Sequence, residues 1–119
     1  MSNSNRAVLE RIAAGLAGGL SATLQNAATV AGDGTEATLS GQSQSTLSVE
    51  GTATSFTIVV EGSVDGANWH TLEVVKRGSM DILQSVTAKG IYVVDLAGLS
   101  SLRARISAVA GGSVTVLVR

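Results

Sequence analysis

The stretch Thr54-Ser55-Phe56-Thr57-Ile58-Val59-Val60-Glu61 decides the fold. Phe56, Ile58 and Val60 fall on one face of it, and Ser55, Thr57, Val59 and Glu61 on the other. A period of two is that of a β-strand with one face in a core. Leu102, Ala104, Ile106 and Ala108 alternate in the same way with Arg103, Arg105 and Ser107. Val114, Val116 and Val118 alternate with Ser113, Thr115 and Leu117. Gly111-Gly112 lies between those two runs and reads as a tight hairpin, because glycine adopts positive φ without strain. Further runs at Trp69–Val75, Asp81–Val86 and Ile91–Leu96 are punctuated by Gly78, Gly90 and Gly98. Turn residues roughly every 8–12 positions predict an all-β chain, a jelly-roll-like antiparallel β-sandwich. Its core is expected over residues 51–119.

Upstream the pattern weakens. Residues 21–53 are rich in Ser, Thr, Ala, Gly and Gln, with short alternations such as Leu47 and Val49 in Thr46-Leu47-Ser48-Val49-Glu50. They read as weak edge strands and an extended arm, broken by the turn Gly32-Asp33-Gly34. Residues 5–20 carry a helical period instead: Leu9, Ile12, Leu16 and Leu20 recur every three or four positions, flanked by Val8. Ser4 or Asn5 can cap this short helix, and Gly15, Gly18 and Gly19 would end it. Such a helix is marginal alone and must dock its apolar stripe, on its own domain or on a neighbour. The same stretch is too short for a membrane span, and its flanks suit a helix better than a cleaved leader. Residues 1–50 are thus expected to form a helix and arm attached to one sandwich, within a single domain overall.

Composition excludes much chemistry. Of 119 residues, eight are Lys or Arg and nine Asp or Glu, a net charge of −1, so no basic field points to nucleic acid or to a membrane. The absence of cysteine removes disulfides, thiolate metal sites and a cysteine nucleophile, and one histidine, His70, removes multi-imidazole metal sites. His70 lacks a second titrating partner nearby in sequence, so it reads as a polar strand residue rather than an acid or base. Asp33-Gly34-Thr35-Glu36 and Asp65-Gly66-Ala67-Asn68 lack the dense alternating oxygen ligands of a calcium loop and read as turns. No Gly-x-Ser-x-Gly elbow and no phosphate-binding loop occurs. The expected chain is not an enzyme and needs no cofactor and no metal.

One motif is specific. In Glu61-Gly62-Ser63-Val64-Asp65-Gly66-Ala67-Asn68-Trp69-His70-Thr71-Leu72, a strand ends, Asp65-Gly66 reverses the chain, and Trp69 opens the return strand. This hairpin resembles that of discoidin-like jelly rolls and is similar to hairpins of small phage virion proteins of β-sandwich type, including capsid decoration (cement) proteins. The later Gly90-Ile91-Tyr92 strand, Leu99-Ser100-Ser101-Leu102-Arg103 and the final Gly112-Ser113-Val114-Thr115-Val116 extend the phage resemblance over residues 54–119. Ser63, Asp65, Gly66, Asn68 and Trp69 match as structural hairpin positions. The cysteine pair and aromatic loop spikes of the sugar- and membrane-binding relatives are missing, which argues against those activities.

The resemblance implies a non-enzymatic virion protein, made in the host cytoplasm and decorating a phage capsid as a homo-oligomer, a trimer by capsid symmetry. Its partners would be other copies of itself and the major capsid protein or another virion protein, with no nucleic acid and no membrane. Val8, Leu9, Ile12, Leu16 and Leu20, with Arg103 and Arg105 on one strand face, are the expected contact residues, and Glu61 or Glu73 the complements of the arginines. The rival is a carbohydrate-binding or adhesion module of a phage tail or bacterial surface, with Trp69 or Tyr92 as sugar platform.

Overall fold

The computed structural model describes residues 20–119. The alternation at residues 55–61 lies in the longest strand pairing. Strand β4 (Ser55–Ser63) runs antiparallel to β9 (Ser101–Ala110), with Glu61 opposite Arg103 and Val60 opposite Ala104. The short β2 (Ala37–Thr38) and β5 (His70–Thr71) flank them, giving a four-stranded sheet in the order β2-β9-β4-β5. The second sheet contains β1 (Ala22–Ala28), β3 (Gln44–Gly51), β6 (Val74–Lys76), β7 (Ile82–Leu83), β8 (Gly90–Asp95) and β10 (Val114–Val118). Its order is β1-β10-β3-β8-β6-β7, and every pairing is antiparallel.

The inner faces meet in one core. Phe56, Ile58, Val60, Leu102, Ala104 and Ile106 from one sheet close on Leu24, Leu47, Val49, Val94, Val114, Val116 and Val118 from the other, joined by Tyr92 and Leu96. Each fully buried aliphatic side chain contributes about 1.5–3 kcal/mol by leaving water, the main force holding the layers together. Three of the four edge strands, β2, β5 and β7, are two residues long, and the fourth, β1, pairs with two breaks in its register. Gly32 exchanges backbone hydrogen bonds with Ile106, and Val86 does so with Ile58, each at the margin of a longer strand. Short and irregular edges deny neighbouring chains a template for uncontrolled pairing.

Three expectations need correction. The arm expected over residues 21–50 is largely sandwich: β3 lies between β10 and β8, and Leu47 and Val49 are buried core. Of the three strands in that stretch, only β1 and β2 are at sheet edges. The reason is that β3 is buried on one face while its outer face carries Thr46 and Ser48, so its low hydrophobicity conceals an interior strand. Gly111-Gly112 does not close a hairpin, because β9 and β10 belong to different sheets. The pair instead turns a corner between layers, with φ of 74° and 147°, stacked beside the β3–β4 corner. Thr52 N and Ala53 N both donate to Ser113 O, and Thr54 N to Ala110 O, so the two crossovers brace each other. Tyr92 is 1% exposed and donates its hydroxyl to Ala88 O at 2.6 Å, which removes it as a sugar platform. The helix expected over residues 5–20, with Val8, Leu9, Ile12 and Leu16, lies outside the described residues. Leu20 is described, and it packs against the chain's own core.

Candidate functional site

The outer face of the four-stranded sheet holds the ion pairs found among the described residues. Strand alternation sends Leu102, Ala104 and Ile106 inward, so Arg103 and Arg105 stand outward side by side on β9, facing Glu61 on β4. Arg103 Nε donates to Glu61 Oε1 at 2.9 Å, and Arg105 Nε donates to the same oxygen at 3.3 Å. The Glu61 side chain is only 10% exposed. A carboxylate this enclosed needs its counter-charges, and the two guanidinium groups supply them. Arg103 is held from two further directions. Its Nη1 lies 3.5 Å from Asp33 Oδ2, carried by the segment that Gly32 pins to Ile106, and its Cζ sits 4.2 Å from the centroid of the Trp69 ring. The last contact is a cation–π interaction.

Beside this cluster, the β4–β5 loop is organised by Asp65. Its Oδ1 accepts from Asn68 N at 2.8 Å, Ala67 N at 2.9 Å and Ser63 Oγ at 3.0 Å, while Oδ2 accepts from Asn68 Nδ2 at 2.6 Å. Ser63 Oγ in turn accepts from Gly66 N, and Gly66 turns the chain at φ 78°. The Asn68 and Ala67 amides, followed by the Asn68 and Ser63 side chains, hold the Asp65 carboxyl far below the usual carboxylate range. The five hairpin positions expected from sequence are therefore brought together, four as a hydrogen-bonded turn and Trp69 as the platform under Arg103.

Two shallow clefts adjoin these residues. One, of about 380 Å³, is lined by Val64, Asp65, Asn68 and His70, and the other, of about 390 Å³, by Thr71, Leu72, Glu73, Asp95, Ala97 and Leu99. In the first, the Asp65 carboxylate is already saturated by its own loop. In the second, Asp95 Oδ1 accepts from Ala97 N. Among the described residues no group of three or more His, Cys, Asp or Glu side chains is arranged to hold a metal ion.

Arg103 and Arg105 meet Glu61, one of their two expected complements, on the neighbouring strand of the same chain, while Glu73 lies in the second cleft. Trp69, a hairpin position and the candidate sugar platform, is half-buried beneath the Arg103 guanidinium. Sequence reasoning missed Asp33 as a partner of Arg103. It also missed Gln25, whose buried amide donates to Ala104 O at 2.7 Å and to Gly32 O at 3.1 Å, tying β1 to β9 between the sheets. Only an acidic residue in a glycine turn hinted at the first, and nothing in the pattern marked the second.

The family model described as XepA matches residues 19–119, which takes in the whole sandwich. This chain belongs to the XepA family. Among solved structures, its fold is similar to the SPBc2 prophage-derived protein YomS, with a TM-score of 0.76 at 21% identity over 83% of this chain and 89% of that one. It is also similar to the PBSX exported protein XepA, with a TM-score of 0.80 at 19% identity over 83% of this chain. The match spans only 36% of that XepA chain. No curated protein matches the sequence.

Proposed function

We propose that this XepA-family sandwich is a non-enzymatic structural protein of a phage particle. It is made in the host cytoplasm and works by adhering to other protein surfaces. The observation that carries this reading is the fold shared with two prophage-encoded proteins, YomS and XepA. A second observation supports it: the charged groups that sequence offered for chemistry are spent on the fold. Glu61 neutralises Arg103 and Arg105, and Asp65 staples its own loop.

In its finer form the reading is a capsid decoration (cement) protein that assembles as a homotrimer and contacts the major capsid protein or another virion protein. Residues 1–19 supply adhesive apolar side chains for this assembly, and the sandwich is the rigid body that presents them. The experiment is a composition analysis of purified particles from a producing host. The chain is expected in the particle in fixed ratio to the major capsid protein; its absence from particles, with abundant free protein in the lysate, would refute attachment.

A second reading is favoured by one structural relative. One structural relative is called an exported protein, which points to action at the host envelope. The carbohydrate-binding alternative loses support, since Arg103 covers one face of Trp69 and Tyr92 lies in the core.

A further inference from the structure

We propose that Asp33-Gly34 is a self-modification site of the folded chain, where the backbone isomerises through a succinimide, and that Asp65-Gly66 is protected from the same reaction. These are the two Asp-Gly pairs of the sequence. In such a pair the glycine nitrogen attacks the aspartate Cγ. The N–Cγ bond forms, the carboxyl hydroxyl leaves as water with the amide proton, and a five-membered ring closes. Water then reopens the ring at either carbonyl. Opening at Cγ restores aspartate; opening at the main-chain carbonyl leaves isoaspartate, with the chain running through the side-chain carbons. No oxidant or cofactor is consumed. Glycine favours the attack because no Cβ shields its nitrogen.

The fold treats the two pairs oppositely. At Asp65 both reacting groups are occupied. The carboxylate accepts from Ser63 Oγ, Ala67 N, Asn68 N and Asn68 Nδ2, which pins Cγ over the following amides. The nucleophile, Gly66 N, donates to Ser63 Oγ at 2.8 Å. The same bonds keep the carboxyl ionised, and the ionised form is the poor electrophile. At Asp33 the side chain is 62% exposed, and among the described residues its carboxylate forms one ion pair, with Arg103 Nη1 at 3.5 Å. Gly32 N on one side donates to Ile106 O, and Thr35 N on the other donates to Leu24 O. Between these anchors neither Asp33 N nor Gly34 N donates to a described group. Gly34 is also hard to exchange, because at φ 72° an added Cβ would collide with Leu24 O and the Gln25 amide. The packing that requires a glycine keeps the reactive pair in the chain.

The product would alter the fold at a defined place. Isoaspartate inserts one extra carbon, about 1.5 Å of chain, between the two anchors. The Gly32–Ile106 pair and the Thr35–Leu24 bond then no longer fit one path, and the shortened carboxylate arm leaves Arg103. Residues 32–35 strap β1 to β9, helped by Gln25, whose amide donates to Gly32 O and Ala104 O. Isomerisation therefore loosens that strap and leaves the Asp65 loop untouched. This chemistry is independent of particle attachment, so either proposal can fail alone.

The test is prolonged incubation of the full chain in oxygen-18 water at mildly acidic pH, followed by proteolysis and mass spectrometry. Each passage through the ring leaves one heavy oxygen at the residue concerned. Label is expected at Asp33, with incorporation at Asp65 at least about tenfold slower, since each unit of lowered pKa removes about nine-tenths of the protonated form. The chains carrying isoaspartate should melt at a lower temperature than unmodified ones. Asp33→Glu keeps a carboxylate beside Arg103 but cannot close a five-membered ring, so it should abolish the label there and keep the wild-type circular dichroism. Ser63→Ala combined with Asn68→Ala should raise labelling at Asp65. Absence of label at Asp33, equal labelling of the two residues in the wild-type chain, or label that persists in Asp33→Glu would overturn the proposal.

Discussion

Glu61 is the residue on which the outer face of the four-stranded sheet depends. One oxygen of a 10%-exposed carboxylate accepts from two arginines, and one of these also stacks on Trp69. Removing the carboxylate leaves Arg105 with no carboxylate and Arg103 with only the exposed Asp33 at 3.5 Å. The Glu61→Gln variant should therefore lose about 2–3 kcal/mol in urea unfolding, less than a fully buried pair because Arg105 keeps some contact with water. Substituting all three charged residues together by Leu and Met should recover much of that loss, since an apolar replacement needs no desolvation of charge. A Glu61→Gln variant as stable as wild type would show that the cluster is ornamental. Ser45 is the opposite case: its buried hydroxyl has no hydrogen-bond partner, and nothing in the structure explains it.

At the scale of elements, sequence was most informative where one face is apolar and the other polar. The alternations of Phe56–Val60, Leu102–Ile106 and Val114–Val118 each became a strand with the expected inner face. Partnership was less legible. Gly111-Gly112 marks a reversal, but whether a reversal closes a hairpin or crosses between layers depends on which distant strands pair, and that is not a local property. Strand β3 was underestimated for the same reason: its place beside β8 and β10 is fixed by residues more than 40 positions away. The Asp65 hairpin was legible because all its bonds are local. They make a pH prediction. The folded-state pKa of Asp65 lies below the ordinary 3.8, so its stabilising contribution is complete above that value and disappears as pH falls through the depressed folded value. Wild type should therefore melt at a higher temperature than Asp65→Asn near neutral pH, with the gap closing on acidification below about pH 4. A gap that widened in acid would contradict the assignment of those bonds.

For the whole molecule, most of the front third proves to be body rather than arm. β1, β2 and β3 fold into the two sheets, so the proposed adhesion falls to residues 1–19 and to exposed apolar positions such as Val30. The sandwich thereby closes its own core with edges that are mostly two residues long, suited to presenting contacts rather than completing itself through them. On the proposed reading, self-association belongs to residues 1–19 and is separable from folding. Native mass spectrometry of the full chain at micromolar concentration, beside a variant lacking residues 1–19, tests this directly. The account predicts a trimeric multiple of the 11.9 kDa chain, and a folded monomer once the segment is removed. A full-length chain that stays monomeric across that range, or a truncated one that assembles equally well, would contradict it.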